Sequence, residues 1–315
     1  MKKVLVTGGC GYVGSKLVKQ LLNNNYSVDV IDTQWFGNYL EKHDNLKVFK
    51  TDIRNINEIN FSGLETIIHL ANIANDPGVE LNQSMSWEVN VLSSQVLIEK
   101  AIEFGVKNFI YASSGSVYGI KEEINVTEDL SLVPISTYNK TKMVAERVLM
   151  SYVDKINVYC IRPATVCGWS PRMRFDVTVN ILTLQAFKNN HMTVFGGEQT
   201  RPNIHINDMV RVYEFFLKNK LPSGFYNAGF ENLKIIEIAE IINKHIPKAK
   251  ITITESNDPR SYRQNSDKLL NFGFLPKFTV EHAIQDLIRK LSDGSLKEYK
   301  NSHTVKWMKH LKLDL

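Results

Sequence analysis

Near its start the chain runs Lys3-Val4-Leu5-Val6, then Thr7-Gly8-Gly9-Cys10-Gly11-Tyr12-Val13-Gly14, then Ser15-Lys16-Leu17-Val18-Lys19-Gln20-Leu21-Leu22. An apolar run empties through glycines into residues whose apolar positions recur with the spacing of an amphipathic helix. In such a strand–turn–helix, Gly8 lets the chain leave the strand sharply, Gly11 lets the backbone approach a pyrophosphate, and Gly14 lets the helix pack on the sheet. Tyr12 and Val13 lend their backbone to the same turn, where free N–H groups and the helix dipole favour an anion. The spacing is Gly-x-x-Gly-x-x-Gly rather than Gly-x-Gly-x-x-Gly, and glycines alone are a weak signal. Residues downstream have to support it.

They do so in order. Residues 27–31 read as a second strand ending at Asp32, whose carboxylate can accept hydrogen bonds from both hydroxyls of an adenosine ribose. Thr33-Gln34 offer no Arg or Lys for a 2′-phosphate, which favours NAD over NADP. Residues 46–50 form a third strand, after which Asp52 and Ile53 stand where an adenine would be hydrogen-bonded and covered. Thr66-Ile67-Ile68-His69-Leu70-Ala71-Asn72 reads as a buried strand leaving toward the cofactor, with Leu70 and Ala71 beside it. His69, in an apolar strand, reads as a satisfied core residue rather than a catalytic one.

Between Ser84 and Phe104, Val89, Leu92, Val96, Leu97 and Ala101 recur at helical spacing and predict one long amphipathic helix. Residues 108–112 are a fifth strand, emptying into Ser113-Ser114-Gly115-Ser116-Val117-Tyr118-Gly119. Ser136-Thr137-Tyr138-Asn139-Lys140-Thr141-Lys142 opens a further helix, continued on its apolar side by Val144, Ala145, Val148 and Leu149. Residues 157–161 are a sixth strand, closed by Arg162-Pro163. This rhythm predicts an α/β fold with a doubly wound parallel (Rossmann) sheet, whose ligands bind beyond the carboxyl ends of the strands.

Past residue 166 the rhythm loosens. Residues 176–189, 208–217 and 233–245 look helical, and 192–195 and 224–228 extended. The expected division is an NAD-binding domain of residues 1–166 plus about 203–230, and a smaller α+β substrate domain of about 167–202 and 231–315. A chain of 315 residues with 43% hydrophobic content can bury cores of that size. No apolar run approaches the roughly 20 residues that span a bilayer, and Val4-Leu5-Val6 is too short for an export signal. Cys10, Cys160 and Cys167 form no metal-like pair and are odd in number, so no metal and a reducing cytoplasm are expected. Cys10 reads as a small neutral filler. The net charge of +5 is spread out, and the denser basic tail (Lys297, Lys300, Lys306, Lys309, Lys312) reads as a solvated surface, with neither nucleic acid nor membrane as partner.

Tyr138 and Lys142 are four apart and share one face of a helix. Tyrosine titrates near pH 10, and making it a base near pH 7 takes roughly 4 kcal/mol of phenolate stabilisation. Two cations, the Lys142 ammonium and an oxidised nicotinamide ring, can supply it. Lys142 can also bond the nicotinamide ribose, and a hydroxyl from Ser114 would orient the substrate oxygen whose proton Tyr138 takes while hydride leaves the adjacent carbon. A Tyr-x-x-x-Lys pair carries weight here only because a glycine turn, a ribose acid and a Ser-rich strand end precede it.

With these residues in place, the chain resembles the extended short-chain dehydrogenases/reductases of the nucleotide-sugar epimerase/dehydratase family, over nearly its whole length. The resemblance lies in residues 7–14, 113–119 and 138–142, and in Arg201-Pro202-Asn203-Ile204-His205-Ile206-Asn207-Asp208. It implies Ser114 as catalytic hydroxyl, Tyr138 as base, Lys142 as its partner, NAD as cofactor and a nucleoside-diphosphate sugar as substrate. Arginine forks and an amide suit a diphosphate, and family positions imply Asn180, Arg201 and Arg263 for it. Members that eliminate water to make 4-keto-6-deoxy sugars carry Asp-Glu directly after the catalytic hydroxyl. Here those positions are Gly115 and Ser116, which disfavours 4,6-dehydration. No Cys or His pair for work at C3 and C5 is evident near Ser114.

What remains is oxidation at the sugar's C4, ending in 4-epimerisation or 4-dehydrogenation. Residues 170–176 together with Asp258-Pro259-Arg260-Ser261-Tyr262-Arg263 look most similar to bacterial capsule and lipopolysaccharide sugar enzymes, some of which oxidise C4 of a GDP-manno-heptose. The resemblance also implies a homodimer, paired through the helices around residues 89–101 and 144–149. The competing reading is a non-catalytic NAD-sensing protein, a class that commonly loses the Tyr or the Lys.

Overall fold

The computed structural model describes residues 1–255 and 261–313, apart from the side chains of Asn57 and Glu58. Twelve strands are found among the described residues: β1 (Lys3–Thr7), β2 (Ser27–Asp32), β3 (Leu46–Lys50), β4 (Thr66–His69), β5 (Asn108–Ala112), β6 (Asn157–Pro163), β7 (Thr165–Cys167), β8 (His191–Phe195), β9 (Thr200–His205), β10 (Gly224–Ala228), β11 (Glu231–Lys234) and β12 (Lys250–Thr254). Seven make one sheet in the order β10-β6-β5-β4-β1-β2-β3, every pair parallel. The order reverses beside β1, between β4 and β2, so the glycine turn after β1 opens at the crevice where a doubly wound sheet binds its ligand.

The central strands are apolar on both faces, as a sheet covered by helices requires. Leu5, Ile67 and Phe109 join the core on one side, and Val6, Ile68 and Ile110 the core on the other. The helix Tyr12–Asn23 buries Leu17, Val18 and Leu21 completely, each worth about 1.5–3 kcal/mol. A second region holds a three-stranded sheet, β11-β9-β7, and a two-stranded one, β12-β8. Its core joins Cys167, Leu182, Met192, Ile238 and Ile284, from the small sheets and the helices Thr178–Asn189, Ile235–His245 and Val280–Ser292.

Several expectations need correction. The strand read through Asn72 ends at His69. The helix read as one piece from Ser84 to Phe104 is Gln83–Trp87, a π turn at Glu88–Leu92, and Ser93–Glu103. A π turn inserts a residue into the ladder and rotates the helix beyond it, so the expected stripe splits. Val89, Leu97 and Ala101 are buried, while Leu92 (56% exposed) and Val96 (43%) face outward. The domain boundary at 203 falls inside β9, which pairs with β7 and β11 in the small sheet. The helix Ile206–Lys218, by contrast, packs on Tyr12–Asn23. Residues near the C-terminus return to the first region: Trp307 Nε1 donates to Trp35 O at 2.6 Å, and Met308 is buried in the core that holds Leu5, Ile67 and Phe109.

His69 is the satisfied core residue expected. Its ring bonds Thr7 Oγ1 at 2.6 Å and Ser94 Oγ at 2.9 Å, and burial pushes its pKa down to about 3. Cys10, Cys160 and Cys167 are free and buried.

Candidate active site

The glycine turn has the shape its sequence demands. Gly8 has φ +71°, and a Cβ there would stand 2.7 Å from Ala71 N. At Gly14 a Cβ would stand 2.7 Å from Gly9 Cα. Gly11 caps the helix Tyr12–Asn23 without a side chain, so the first N–H groups of that helix keep no side-chain partner and are available to an anion. Gly8, Gly11, Tyr12, Val13 and Gly14 all line one cleft of about 420 Å³, with Asp32, Asp52, Ile53, Leu70 and Ala71. The size suits an organic ligand.

Asp32, at the end of β2, accepts from Cys10 N at 2.9 Å and from Gln34 N at 2.7 Å. Burial raises its pKa, against the pull of those backbone bonds and the positive charge of Arg172. Asp32 is thus oriented by the glycine turn itself. Burial would also raise Asp52, but the bonds from Arg54 outweigh it and the carboxylate is held below its usual range. Arg54 bonds both Asp52 oxygens, at 3.1 and 3.0 Å, and Glu88 at 2.8 Å. Cys10 is pushed up to about 12 by burial and by Asp32, so its thiol stays neutral beside the phosphate cradle. The cradle, the oriented acid and the gap left by missing side chains fit a dinucleotide.

Ser114, Tyr138 and Lys142 meet at the other end of the same cleft. Ser136 begins their helix, its Oγ accepting from Asn139 N at 3.2 Å, and this sets Tyr138 and Lys142 one turn apart on the face toward β5. The Ser114 side chain stands close enough to the Tyr138 hydroxyl to lower its pKa, and Lys142 Nζ lies 5.9 Å from the Tyr138 ring centroid and donates to Ala112 O at 2.6 Å. Burial pushes Tyr138 up to about 12; Ser114 and Arg174 oppose this, and Asp76 adds to it. Burial pushes Lys142 down to about 7, against the pull of Glu146. Without a further positive charge nearby, the phenol keeps its proton at neutral pH. An oxidised nicotinamide would supply that charge.

Position 115 is walled in: a Cβ on Gly115 would stand 3.1 Å from Gln264 Oε1 and 3.2 Å from Pro163 O. Ser116 Oγ is bonded to Ser114 Oγ and Asn139 Oδ1, both at 2.7 Å. Ser113 Oγ lines the cleft, buried and without a partner among the described residues.

The three residues expected to hold a diphosphate do not line this cleft. Asn180 is fully buried and saturated: its Oδ1 accepts from Gly168 N at 2.9 Å, and its Nδ2 donates to Tyr12 Oη at 3.0 Å and to Arg174 O at 2.8 Å. It braces the glycine-turn tyrosine to the second region. Arg201 lies on β9, paired with Leu233, and Arg263 is exposed beyond it. Asp258 and Arg260 lie outside the described residues.

Asp76, Thr304 and Met308, which no spacing singles out, line the cleft, and so do Arg172 and Arg174, which the sequence places on the substrate side without choosing them for the diphosphate. Asp76 accepts from Ser136 Oγ near Tyr138, and Arg174 is paired with Asp176 at 2.9 Å. Asn90 also went unread. From the π turn its amide bonds Ile73 N and O and Thr141 Oγ1, holding the cleft wall to the helix that carries Tyr138 and Lys142.

Residues 4–229 match the model of the NAD dependent epimerase/dehydratase family. The chain is 26% identical to the UDP-glucose 4-epimerase of Halalkalibacterium halodurans over 316 residues, covering 89% of this chain and 94% of that one. It is 32% identical to YtcB of Bacillus subtilis, an uncharacterized UDP-glucose epimerase, over 265 residues covering 76% and 81%. A solved structure of UDP-glucuronic acid 4-epimerase from Bacillus cereus, in complex with UDP-glucuronic acid and NAD, superposes with a TM-score of 0.80 at 26% identity, over 92% of this chain and 99% of that one. With a family model spanning most of the chain and a cleft shaped for a dinucleotide, the chain belongs to the NAD dependent epimerase/dehydratase family, whose members are NAD-dependent enzymes of nucleotide sugars.

Proposed function

We infer that the chain oxidises C4 of a nucleoside-diphosphate hexose and returns the hydride on the opposite face, which is 4-epimerisation. The observation that carries this reading is the meeting of Ser114, Tyr138 and Lys142 in the cleft, with no acid at the walled-in Gly115 or at Ser116. Bound NAD supplies the acceptor for the C4 hydride and, when oxidised, a positive ring. Tyr138 takes the proton of the C4 hydroxyl and later gives it back. Ser114 orients that oxygen, and Lys142 favours the phenolate and holds the ribose side of the cofactor.

The relatives compared carry UDP-glucose in their names, so UDP-hexoses are tested first and a GDP-manno-heptose second. The smaller region is where we place recognition of the sugar nucleotide. Incubation with each sugar, following inversion by NMR and reduced nicotinamide by absorbance, separates the outcomes. Inversion without net reduction is expected; stoichiometric NADH with a 4-keto product would make the chain a 4-dehydrogenase instead. The free, buried thiols agree with a cytoplasmic enzyme.

Asp76 offers a test of the proton chemistry. Its charge raises the Tyr138 pKa, so Asp76→Asn lowers that pKa and moves the acidic limb of kcat/KM to lower pH. An unmoved limb would mean that the limb does not report Tyr138.

The outward-facing Leu92 and Val96 are one turn apart on the helix surface, and we place a homodimer contact there. Light scattering at micromolar concentration should give twice the 36.0 kDa chain mass, and Leu92→Lys/Val96→Lys should reduce it to the single mass.

A further inference from the structure

Arg172 lacks the partners that a buried guanidinium needs. It is 4% exposed. Its Nη2 donates to Thr304 Oγ1 at 3.1 Å, while its Nε has no partner among the described residues. Asp176, on the same loop, is engaged by Arg174 at 2.9 Å. The carboxylates whose charge it feels, Asp32 and Asp176, are engaged by other donors and neither is ion-paired with it; a buried guanidinium without a direct ion pair is costly, which leaves room for an anion. The Phe36 ring lies 4.0 Å from the guanidinium carbon and fixes its plane, and Arg172 lines the same cleft as the glycine turn.

The loop that carries Arg172 is fastened to the first turn of the helix Tyr12–Asn23. Ser170 Oγ donates to Tyr12 O at 2.6 Å and bonds Ser15 Oγ at 2.9 Å. The positive charge of Arg172 is also felt at Asp32. The side chain thus lines the cleft shared by the ribose carboxylate and the glycine turn, on a loop tied to the first turn of the helix, the end of the cleft that the adenosine-side phosphate of a dinucleotide would occupy.

We propose that Arg172 is a cofactor ligand contributed by the second region, taking the adenosine-side phosphate of NAD on the free edge of its guanidinium. This rests on the NAD use of the family and not on the C4 reaction inferred above. Sequence spacing could not place it, because it reaches the cofactor from far along the chain. The chemistry recognised is an organic diphosphate, and the other source of that chemistry is the diphosphate of the sugar nucleotide.

Calorimetric titration of the full chain, without substrate, tests it by fragments. Arg172→Met should weaken ADP and NAD by about 10- to 100-fold and leave adenosine unchanged, since only the phosphate contact is lost. Arg172→Lys keeps the charge but not the fork; it should show the same ADP-specific loss in smaller degree, and it carries the test if the methionine variant does not fold. Equal losses for adenosine and ADP would overturn the proposal in favour of a purely structural role. Unchanged ADP and NAD, with weaker UDP binding to the NAD-loaded protein, would overturn it by placing Arg172 on the sugar nucleotide. Failure of every sugar to react would leave these titrations unaffected and would count against the C4 reading alone.

Discussion

Replacing Tyr138 by phenylalanine is expected to lower turnover by about 10²- to 10⁴-fold while changing NAD affinity by less than about threefold. The ring that lies near Lys142 and lines the cleft is retained, and only the hydroxyl on which Ser114 acts is removed. Phenylalanine fills nearly the same volume, and the glycine cradle and Asp32 stand at the opposite end of the site. Steady-state rates and calorimetry of NAD binding check both halves. Turnover that survived the substitution would remove Tyr138 from the proton transfer, and a parallel loss of NAD binding would show that the hydroxyl serves the cofactor.

The second large effect is on stability. Glu146→Ala is expected to cost about 3–5 kcal/mol, a large part of the roughly 5–15 kcal/mol that holds a domain folded. Glu146 and Arg162 are 0% and 1% exposed and meet through two bonds, Nε to Oε1 at 2.9 Å and Nη2 to Oε2 at 2.8 Å. Arg162 also donates from Nη1 to Tyr118 Oη at 2.8 Å and to Glu128 O at 3.1 Å. Tyr118 in turn donates to Asn227 Oδ1, and Gln264 Nε2 bonds both Arg162 O and Asn227 Oδ1. Alanine leaves a buried cation without its counter-charge, which is the costly half of breaking such a pair. Urea denaturation measures the loss. The double variant Glu146→Leu/Arg162→Met should recover most of it, because removing both charges leaves none unpaired. Glu146 also pulls the Lys142 pKa upward from one turn away, so its loss lowers the protonated fraction of Lys142 at neutral pH.

The parts of the site that could be read from sequence are those whose geometry is local. Gly8, Gly11 and Gly14 occupy one turn, Asp32 ends the next strand, and Tyr138 and Lys142 share a helical turn. Ser114 comes two residues after the end of β5. Each of these is placed by one element and its known position in a doubly wound sheet. Arg172, Thr304 and Met308 line the same cleft from segments far along the chain, where no spacing rule links them to β1. Asp76 enters through a short helix after β4, and only the Ser136 contact brings it near Tyr138.

Asn180 is placed differently from the expectation for a related reason. Residue type suited a phosphate, but packing against Tyr12 and Gly168 consumed its hydrogen bonds. The face of the helix Ser93–Glu103 was misjudged because 3.6-residue periodicity does not foresee a π turn. That turn is held by Asn90, whose bonds to Ile73 and Thr141 only the folded chain reveals.

The central claim, hydride transfer at C4 with Tyr138 handling the proton, is tested most directly with UDP-glucose carrying deuterium at C4. The account predicts C4-inverted product with the deuterium still at C4, carried out and back on the cofactor, and the same product formed about 10²- to 10⁴-fold more slowly by Tyr138→Phe. Turnover that washes the deuterium into water would contradict it, since that requires C4 to lose a proton instead of a hydride.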